Sequence, residues 1–157
     1  MSDIKHIKED IEDQILAHMM HAGFSSALEL KNASMLVLRG QRHGRRYNVP
    51  GTGRVHYNRR NKTARITYTK YTASAPGEPP AVRTGAFRLG WMPQTKIEDG
   101  GKTIKSRIRN NQRVGPGGKY LLGELLEEGT VHMAPRPYQE EVLKRALPKI
   151  RRHYKNF

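Results

Sequence analysis

The chain has 157 residues, enough for one ordinary domain with a buried core and short for two. It contains no cysteine, which excludes disulfide bonds and thiolate chemistry. No apolar run approaches the roughly 20 residues that span a bilayer, and the charged N-terminus predicts no secretion signal, so we expect no membrane partner. The net charge is +15, from 29 Lys and Arg against 14 Asp and Glu, which indicates a polyanionic or acidic partner.

The charge is unevenly distributed along the chain. Residues 1–30 carry a net charge of −4, residues 31–120 carry +17 and residues 121–157 carry +2. Identical copies of such a chain could pack an acidic end against a basic middle, which favours a head-to-tail contact and a ring. Both regions could equally be solvated faces, so the pattern leaves assembly and simple solvation open.

The N-terminal part, residues 1–39, is predicted to be helical. Apolar residues recur there at spacings of three and four, which predicts an amphipathic helix with one buried stripe over about residues 3–22. The stripe consists of Ile4, Ile7, Ile11, Ile15 and Met19. Gly23 is expected to end this helix, and Ser25 or Ser26 to cap a second one. The apolar run from Met35 to Leu38 could equally be a buried strand.

The middle part, residues 40–134, is predicted to hold a small sheet and its loops. Val55 and Tyr57 would face Ile66 and Tyr68 in a hairpin with a charged tip, since aromatic and β-branched residues favour strands. A second hairpin is predicted around Glu98-Asp99-Gly100-Gly101, where apolar residues alternate on both sides.

Proline and glycine interrupt the middle part. Residues 74–81 hold three prolines and a glycine, which excludes a helix interior or a central strand and predicts an extended loop. Thr84 can cap a short helix after this loop. A further helix is predicted from Tyr120 to about Gly129.

The C-terminal part, residues 135–157, is predicted to be a helix with a basic tail. It follows Pro137, and Pro148 should kink or interrupt it, because proline removes a backbone hydrogen bond. We therefore expect an α+β fold: a small antiparallel sheet flanked by an N-terminal helix or helix pair and a C-terminal helix, in a single domain of residues 1–157.

The constellations that an enzyme requires are missing. The run Gly115-Pro116-Gly117-Gly118-Lys119-Tyr120 lacks the spacing of a phosphate loop, and tyrosine stands where a magnesium-binding hydroxyl belongs. His18 and His21 have no third ligand at metal spacing. The basic middle has too few carboxylates for a metal-dependent nuclease. We expect no enzyme, and no catalytic, cofactor-binding or metal-binding residues.

Arginines and tyrosines are interleaved between residues 39 and 68. Together they suit phosphate contact and stacking on bases, and they are equally enriched in protein interfaces. The sequence does not separate the two. The candidates for contact with DNA or with an acidic partner are Arg45, Arg46, Arg59, Arg60 and Lys62.

Three separated motifs carry a resemblance to a known family. They are Ala73-Ser74-Ala75-Pro76-Gly77-Glu78-Pro79-Pro80-Ala81-Val82-Arg83-Thr84-Gly85 with Phe87 after it, Glu127-Glu128-Gly129-Thr130, and Ala134-Pro135-Arg136-Pro137-Tyr138. In this order they resemble the small bacteriophage neck or tail-completion proteins, the gene-ten-product-like minor tail proteins. Phe87, Gly90 and Glu128 stand where the family usually has leucine, serine and an aromatic residue.

The resemblance implies a structural protein of the virion, assembled in the bacterial cytoplasm, with no catalytic residues to carry over. It implies a homo-oligomeric ring, a hexamer or dodecamer, between the head-closure or connector proteins and the tail terminator or tail tube, with genomic double-stranded DNA as a further contact in the channel. The expected protein-interface residues are Pro76, Glu78, Pro79, Pro80, Thr84, Glu127, Thr130 and Arg136. The alternative is a small basic nucleic-acid-binding protein without an assembly role.

Overall fold

The computed structural model describes residues 2–155. In chain order the elements are α1 (Ser2–Arg39), β1 (Arg46–Asn48), β2 (Arg54–Asn58), β3 (Thr63–Thr67), β4 (Lys70–Thr72), α2 (Ala86–Leu89), β5 (Trp91–Glu98), β6 (Thr103–Asn110), β7 (Arg113–Val114), β8 (Tyr120–Leu121), α3 (Leu122–Glu128) and α4 (Gln139–His153). Short 3-10 turns lie at Asp99–Gly101 and Pro116–Gly118. This is an α+β structure with helices at both ends, as the sequence predicts.

Within residues 2–155, the strands form four separate two-stranded antiparallel sheets rather than one continuous sheet. The pairs are β1–β4, β2–β3, β5–β6 and β7–β8. Both predicted hairpins are present: β2–β3 aligns Val55 with Ile66, and β5–β6 is the longest pairing, from Trp91 opposite Asn110 to Glu98 opposite Thr103. The predicted place of Tyr68 in the first hairpin is wrong, because β3 ends at Thr67 and Tyr57 pairs with Ala64. The strands that sequence reasoning expected in one sheet therefore serve as local ribbons.

A single helix, α1, replaces the predicted helix pair, and Gly23 lies within it. A Cβ at Gly23 would lie 2.8 Å from both Ile104 Cγ2 and Ser106 Oγ, so glycine allows β6 to approach the helix closely. Ser26 is not a cap, since its hydroxyl donates to the Ala22 carbonyl one turn earlier, at 2.7 Å. The run at residues 35–38 is helical.

Contacts within the chain divide it into two compact units. The first contains the chain up to Met35, Trp91–Asn111 and the part from Gln139 onward; the second contains Leu36–Gly90 and Gln112–Tyr138. The single-domain organisation stays a prediction.

The first unit packs α1, β5–β6 and α4 around small side chains. Its buried apolar residues are Ala22, Ala27, Ala33, Trp91, Val142 and Ala146. Lys149 Nζ lies 3.2 Å from Glu29 Oε2 and links α4 to α1. Pro148 lies inside α4, which continues to His153, so the predicted interruption does not occur. The alanine-rich seam explains how α1 and its neighbours approach closely with few large core residues.

The second unit is built around the end of α1 and the loops. Val37, Leu38, Leu126 and Tyr138 are buried there. The helix predicted from Tyr120 begins at Leu122, because Tyr120 and Leu121 pair with β7 as strand β8.

The apolar stripe at the start of α1 was predicted to be buried, and this is wrong. Ile4, Ile7, Ile11 and Ile15 are 75%, 57%, 51% and 52% exposed. The helical period is present, but no other element of the described chain covers this face. Among the described residues, no helix combines the length and apolarity that a membrane crossing would need.

Candidate protein-docking site around the proline loop

Glu78 closes the proline loop, residues 73–85, on itself. Its Oε2 accepts hydrogen bonds from the main-chain N–H of Ala75 at 2.8 Å and of His43 at 3.0 Å. Its Oε1 lies 2.6 Å from His43 Nδ1. The hydrogen bond from Ala75, followed by those from the His43 main chain and ring, lowers the pKa of Glu78 to about 2. The carboxylate therefore stays ionised across the ordinary pH range and pins both loops.

Arg42 and Ser74 hold the other side of the same loop. Arg42 donates to the Val37 carbonyl at 2.8 Å and to the Pro80 carbonyl at 3.1 Å, which ties the loop to the end of α1. Burial lowers the pKa of Arg42, and the Glu78 carboxylate opposes this shift. The buried Ser74 hydroxyl donates to the Pro79 carbonyl at 2.7 Å. Two prolines thus present carbonyls that are fixed by side chains, which makes the loop rigid.

Gly44 shows how closely the adjoining segment approaches the loop. Its N–H donates to the Ala73 carbonyl at 3.0 Å. A Cβ at this position would lie 2.5 Å from the same carbonyl oxygen and 2.8 Å from the Ser74 main chain. Only glycine allows this packing without a shift of backbone.

The three motif segments of the sequence meet in the second unit. The Gly77 N–H donates to the Pro135 carbonyl at 3.3 Å, and the Arg136 N–H donates to the Leu126 carbonyl at 2.8 Å. The Tyr138 N–H donates to Glu127 Oε2 at 3.0 Å. The bond between Gly77 and Pro135 therefore joins segments that lie far apart in the chain, and the other two bonds fix the chain between α3 and Tyr138.

Two aromatic rings complete this cluster. Phe87 and Tyr138 pack edge to face with ring centroids 5.8 Å apart. The Tyr138 hydroxyl donates to the Gly123 carbonyl at 3.4 Å, and a Cβ at Gly123 would lie 2.9 Å from that hydroxyl. The short helices α2 and α3 are held together through these contacts.

A cavity of about 760 Å³ lies against the proline loop, within the second unit. Its lining includes Arg45, Arg83, Arg88 and Arg136, and no Asp or Glu among the described residues. The Nε of Arg88 is buried and finds no hydrogen-bond acceptor in the described part of the chain. Tyr47, Tyr71 and Phe87 add aromatic surface. The cavity therefore suits an acidic or carboxylate-bearing segment of another protein.

The structure places the predicted interface residues in three kinds of position. Pro76, Thr84 and Thr130 are exposed, and the first two also line the cavity. Pro80 is buried in the loop, whereas Glu78 and Glu127 are engaged in the internal hydrogen bonds described above. Pro79 and Arg136 are half-buried. The interface role of these residues stays a prediction.

The predicted DNA or acidic-partner contacts do not form one cluster. Arg59, Arg60 and Lys62 lie at the exposed tip of the β2–β3 hairpin. Arg46 lies in β1 and is also exposed, while Arg45 precedes it and lines the cavity. The tip and the cavity are therefore two separate cationic surfaces.

Sequence reasoning missed Arg42, His43, Arg83 and Arg88 as site residues. Arg42 and His43 act on the loop over 35 or more residues of chain, and no local pattern indicates such a pairing. Arg83 lies inside the proline motif, and Arg88 follows Phe87, so closeness to the motif was the one available signal.

The sequence features that resemble enzyme sites have structural explanations. The glycine-rich run joins β7 to β8 as a turn, and Lys119 Nζ lies over the Tyr120 ring at 5.3 Å from its centroid. Within residues 2–155, no group of three or more His, Asp or Glu side chains could hold a metal ion. Comparison with protein-family models, with curated proteins and with solved structures gave no match.

Proposed function

We propose that this chain is a structural virion protein of a tailed bacteriophage. It forms a homo-oligomeric ring, a hexamer or dodecamer, in the neck. The ring joins the head-closure or connector complex to the tail terminator or tail tube. It is assembled in the host cytoplasm, acts without catalysis or cofactor, and works by presenting preformed surfaces to its neighbours.

The convergence of the three motif segments is the observation that carries this proposal. The segments that resemble the neck proteins contact one another through Gly77 and Pro135, through Glu127 and Tyr138, and through the Phe87 and Tyr138 rings. Residues that merely share a composition would have no reason to meet. Their contact in the folded chain supports the view that the three motifs belong to one surface.

The rigidity of the proline loop fits a role in docking. Proline restricts the backbone of the loop before binding, and the hydrogen bonds of Glu78, Arg42 and Ser74 hold the loop in one conformation. A preformed loop loses little conformational entropy when it binds. The arginine-lined cavity beside it favours an acidic segment of the neighbouring protein, since paired guanidinium and carboxylate groups give charge-assisted hydrogen bonds.

Labelling of virions tests the proposal directly. An affinity-tagged chain should complement a phage or prophage that lacks its gene, and electron microscopy should locate the tag at the neck. Mass measurement of the purified protein, alone and with its neck partners, should show a closed ring. Label elsewhere in the virion, or none, together with site-specific DNA binding by a stable monomer, would contradict the proposal.

A charge reversal in the cavity sharpens this test. Arg83→Glu should leave the fold intact and yield heads without attached tails, because the acidic partner segment is repelled. Lys144→Glu, on the exposed part of α4, is the matched control and should give normal virions. Equal loss of assembly in both variants would show that net charge, not the cavity, matters.

A second candidate function is nucleic-acid binding without assembly. It is favoured by the β2–β3 hairpin, where residues 54–67 carry five cations and no acid and are exposed throughout. Salt dependence separates this candidate from the first, because phosphate contacts release counterions and affinity then falls steeply with salt.

A further inference from the structure

The first turns of α1 present an apolar stripe that is bordered by acids. Ile4, Ile7, Ile11 and Ile15 lie at helical spacing and are all more than half exposed. Residues 4–15 contain four acids and two lysines, a net charge of −2. This stripe is about 17 Å long at 1.5 Å per residue.

The acids of this stripe are only partly neutralised by its own lysines. Lys5 pairs with Glu9, and Lys8 pairs with Glu12 at 3.7 Å. In the part of the chain that the structure describes, Asp10 and Asp13 form no ion pair. The Asp10 carboxylate, which flanks the stripe, is therefore available to cations of a partner that docks there, whereas Asp13 lies on the opposite side of the helix.

The β2–β3 hairpin presents a matching surface. The register aligns Val55 with Ile66 and Tyr57 with Ala64, so these four side chains share one face. Val55, Tyr57 and Ile66 are 69%, 61% and 54% exposed. An isolated two-stranded ribbon is at best marginally stable in water, and covering this face would stabilise it.

The opposite face and the tip of the hairpin are cationic. Arg54 and Arg65 belong to the face that points away from the apolar one, and Arg59, Arg60 and Lys62 form the tip. The five-residue strand is about 17 Å long, the length of the helical stripe. The length and apolarity of the two surfaces therefore match, and the cationic tip carries the charge opposite to that of the acids beside the stripe.

From this complementarity we infer that the stripe of α1 in one copy of the chain binds the apolar face of the β2–β3 hairpin in the next copy. The inference rests on the ring that is proposed above. The contact joins two different surfaces, so it repeats head to tail and can close into a ring. Pairing of like surfaces is disfavoured, because two stripes are both acidic and two hairpins are both basic.

Disulfide trapping tests this contact, because the natural chain has no cysteine. Ile7→Cys and Tyr57→Cys are prepared as separate proteins, mixed and oxidised. The expected product is the mixed dimer, with little of either homodimer. Lys144→Cys, on an exposed position of α4, is the control and should not cross-link to either protein. Cross-linking of Ile7→Cys to itself alone would overturn the inference in favour of helix pairing.

Surface variants give the second measurement. Ile7→Ser with Ile11→Ser should weaken self-association by more than about 30-fold, as expected for the loss of central apolar contacts. Because both side chains are exposed in the free chain, the helical circular dichroism should be unchanged. Asp10→Lys, beside the stripe, should also weaken association, and a copy carrying Arg59→Glu with Arg60→Glu should restore it.

The outcomes separate this inference from the proposed function. A ring that forms without the mixed cross-link overturns the contact and leaves the neck protein standing. A chain that stays monomeric at every concentration also overturns the contact, while neck labelling of virions still decides the function. Trapping of the mixed dimer without any neck label supports the contact and contradicts the function.

Discussion

The ionised Glu78 carboxylate stabilises the proline loop, and this stabilisation depends on pH. Its pKa is lowered to about 2 from an ordinary value of 4.5, because the folded chain donates hydrogen bonds to its ionised form. A lowered pKa means that the contribution to stability is complete above about pH 4.5 and is lost as the pH falls toward 2. Glu78→Gln should therefore lower the melting temperature at neutral pH and make little difference near pH 2.

The matched control for this prediction is Glu128→Gln, which removes one acid from an exposed position of α3. Thermal unfolding of the natural chain and both variants, followed across the acid range, gives the comparison. The Glu78 difference should narrow as the pH falls, whereas the control should track the natural chain. A Glu78 difference that is constant with pH would show that charge is not the cause.

Gly23 should respond to substitution differently from a glycine in an exposed helix. In an exposed helix interior, replacing glycine by alanine gains about 1 kcal/mol of stability. Here the added Cβ would lie 2.8 Å from Ile104 and Ser106, so Gly23→Ala should instead lower the free energy of unfolding by about 1–3 kcal/mol. Urea unfolding measures the difference. The control is Asn32→Ala on the exposed side of α1, which should raise the free energy of unfolding by less than about 0.7 kcal/mol, because alanine is the better helix former. A stabilised Gly23→Ala would disprove the close approach.

At the scale of elements, the two long hairpins should differ in dynamics. The β5–β6 ribbon contributes Trp91 to a core, whereas every residue of β2–β3 is exposed. Few buried contacts mean low local stability. Amide hydrogen exchange should therefore be fast in β2–β3 and slow in β5–β6 of the free chain. On self-association, exchange in β2–β3 should slow by about tenfold or more.

The β5–β6 hairpin serves as the internal control for that measurement, because its protection should not change on association. If β2–β3 is already protected in the free monomer, or if it gains nothing on assembly, the hairpin is not a contact between copies.

The sequence pattern predicted helices and strands well where their formation depends on residues close together in the chain. The β2–β3 and β5–β6 hairpins follow from alternation and turn residues, and the helical period of residues 4–19 is real. The helix break at Gly23 was wrong, because the sequence shows the missing side chain but not the strand packed against it. The rigidity of the proline loop could not be predicted for the same reason, because it depends on hydrogen bonds from Arg42 and His43, which lie 35 or more residues away in the chain.

Burial was harder to predict than secondary structure. A stripe of isoleucines at helical spacing indicates that one face meets something, and a core is the ordinary partner. Here the first four isoleucines stay exposed, and the buried residues of α1 lie further along the helix, between Ala22 and Leu38. The periodicity is the same for a face that packs inside the chain and for one that packs on another copy.

At the scale of the whole molecule, part of the charge of +15 lies on two separate surfaces. The cavity holds four arginines beside the proline loop, and the hairpin tip holds Arg59, Arg60 and Lys62. An acidic protein segment suits the first, because a cavity fixes geometry. In the alternative function, without assembly, the exposed tip suits the loosely positioned phosphates of duplex DNA.

The salt dependence of DNA binding tests the tip. If these three cations contact phosphates, the triple variant Arg59→Ala, Arg60→Ala, Lys62→Ala should reduce the slope of log affinity against log salt by about 3 and weaken binding equally for all DNA sequences. Lys144→Ala, Arg151→Ala, Arg152→Ala removes the same charge from exposed positions of α4 and should leave the slope unchanged. Fluorescence anisotropy with random-sequence duplexes at several salt concentrations measures both slopes. Equal reductions in the two variants would mean that DNA responds to total charge. An unchanged slope in the tip variant would show that these three cations do not contact phosphates. The hairpin would then serve protein contacts alone.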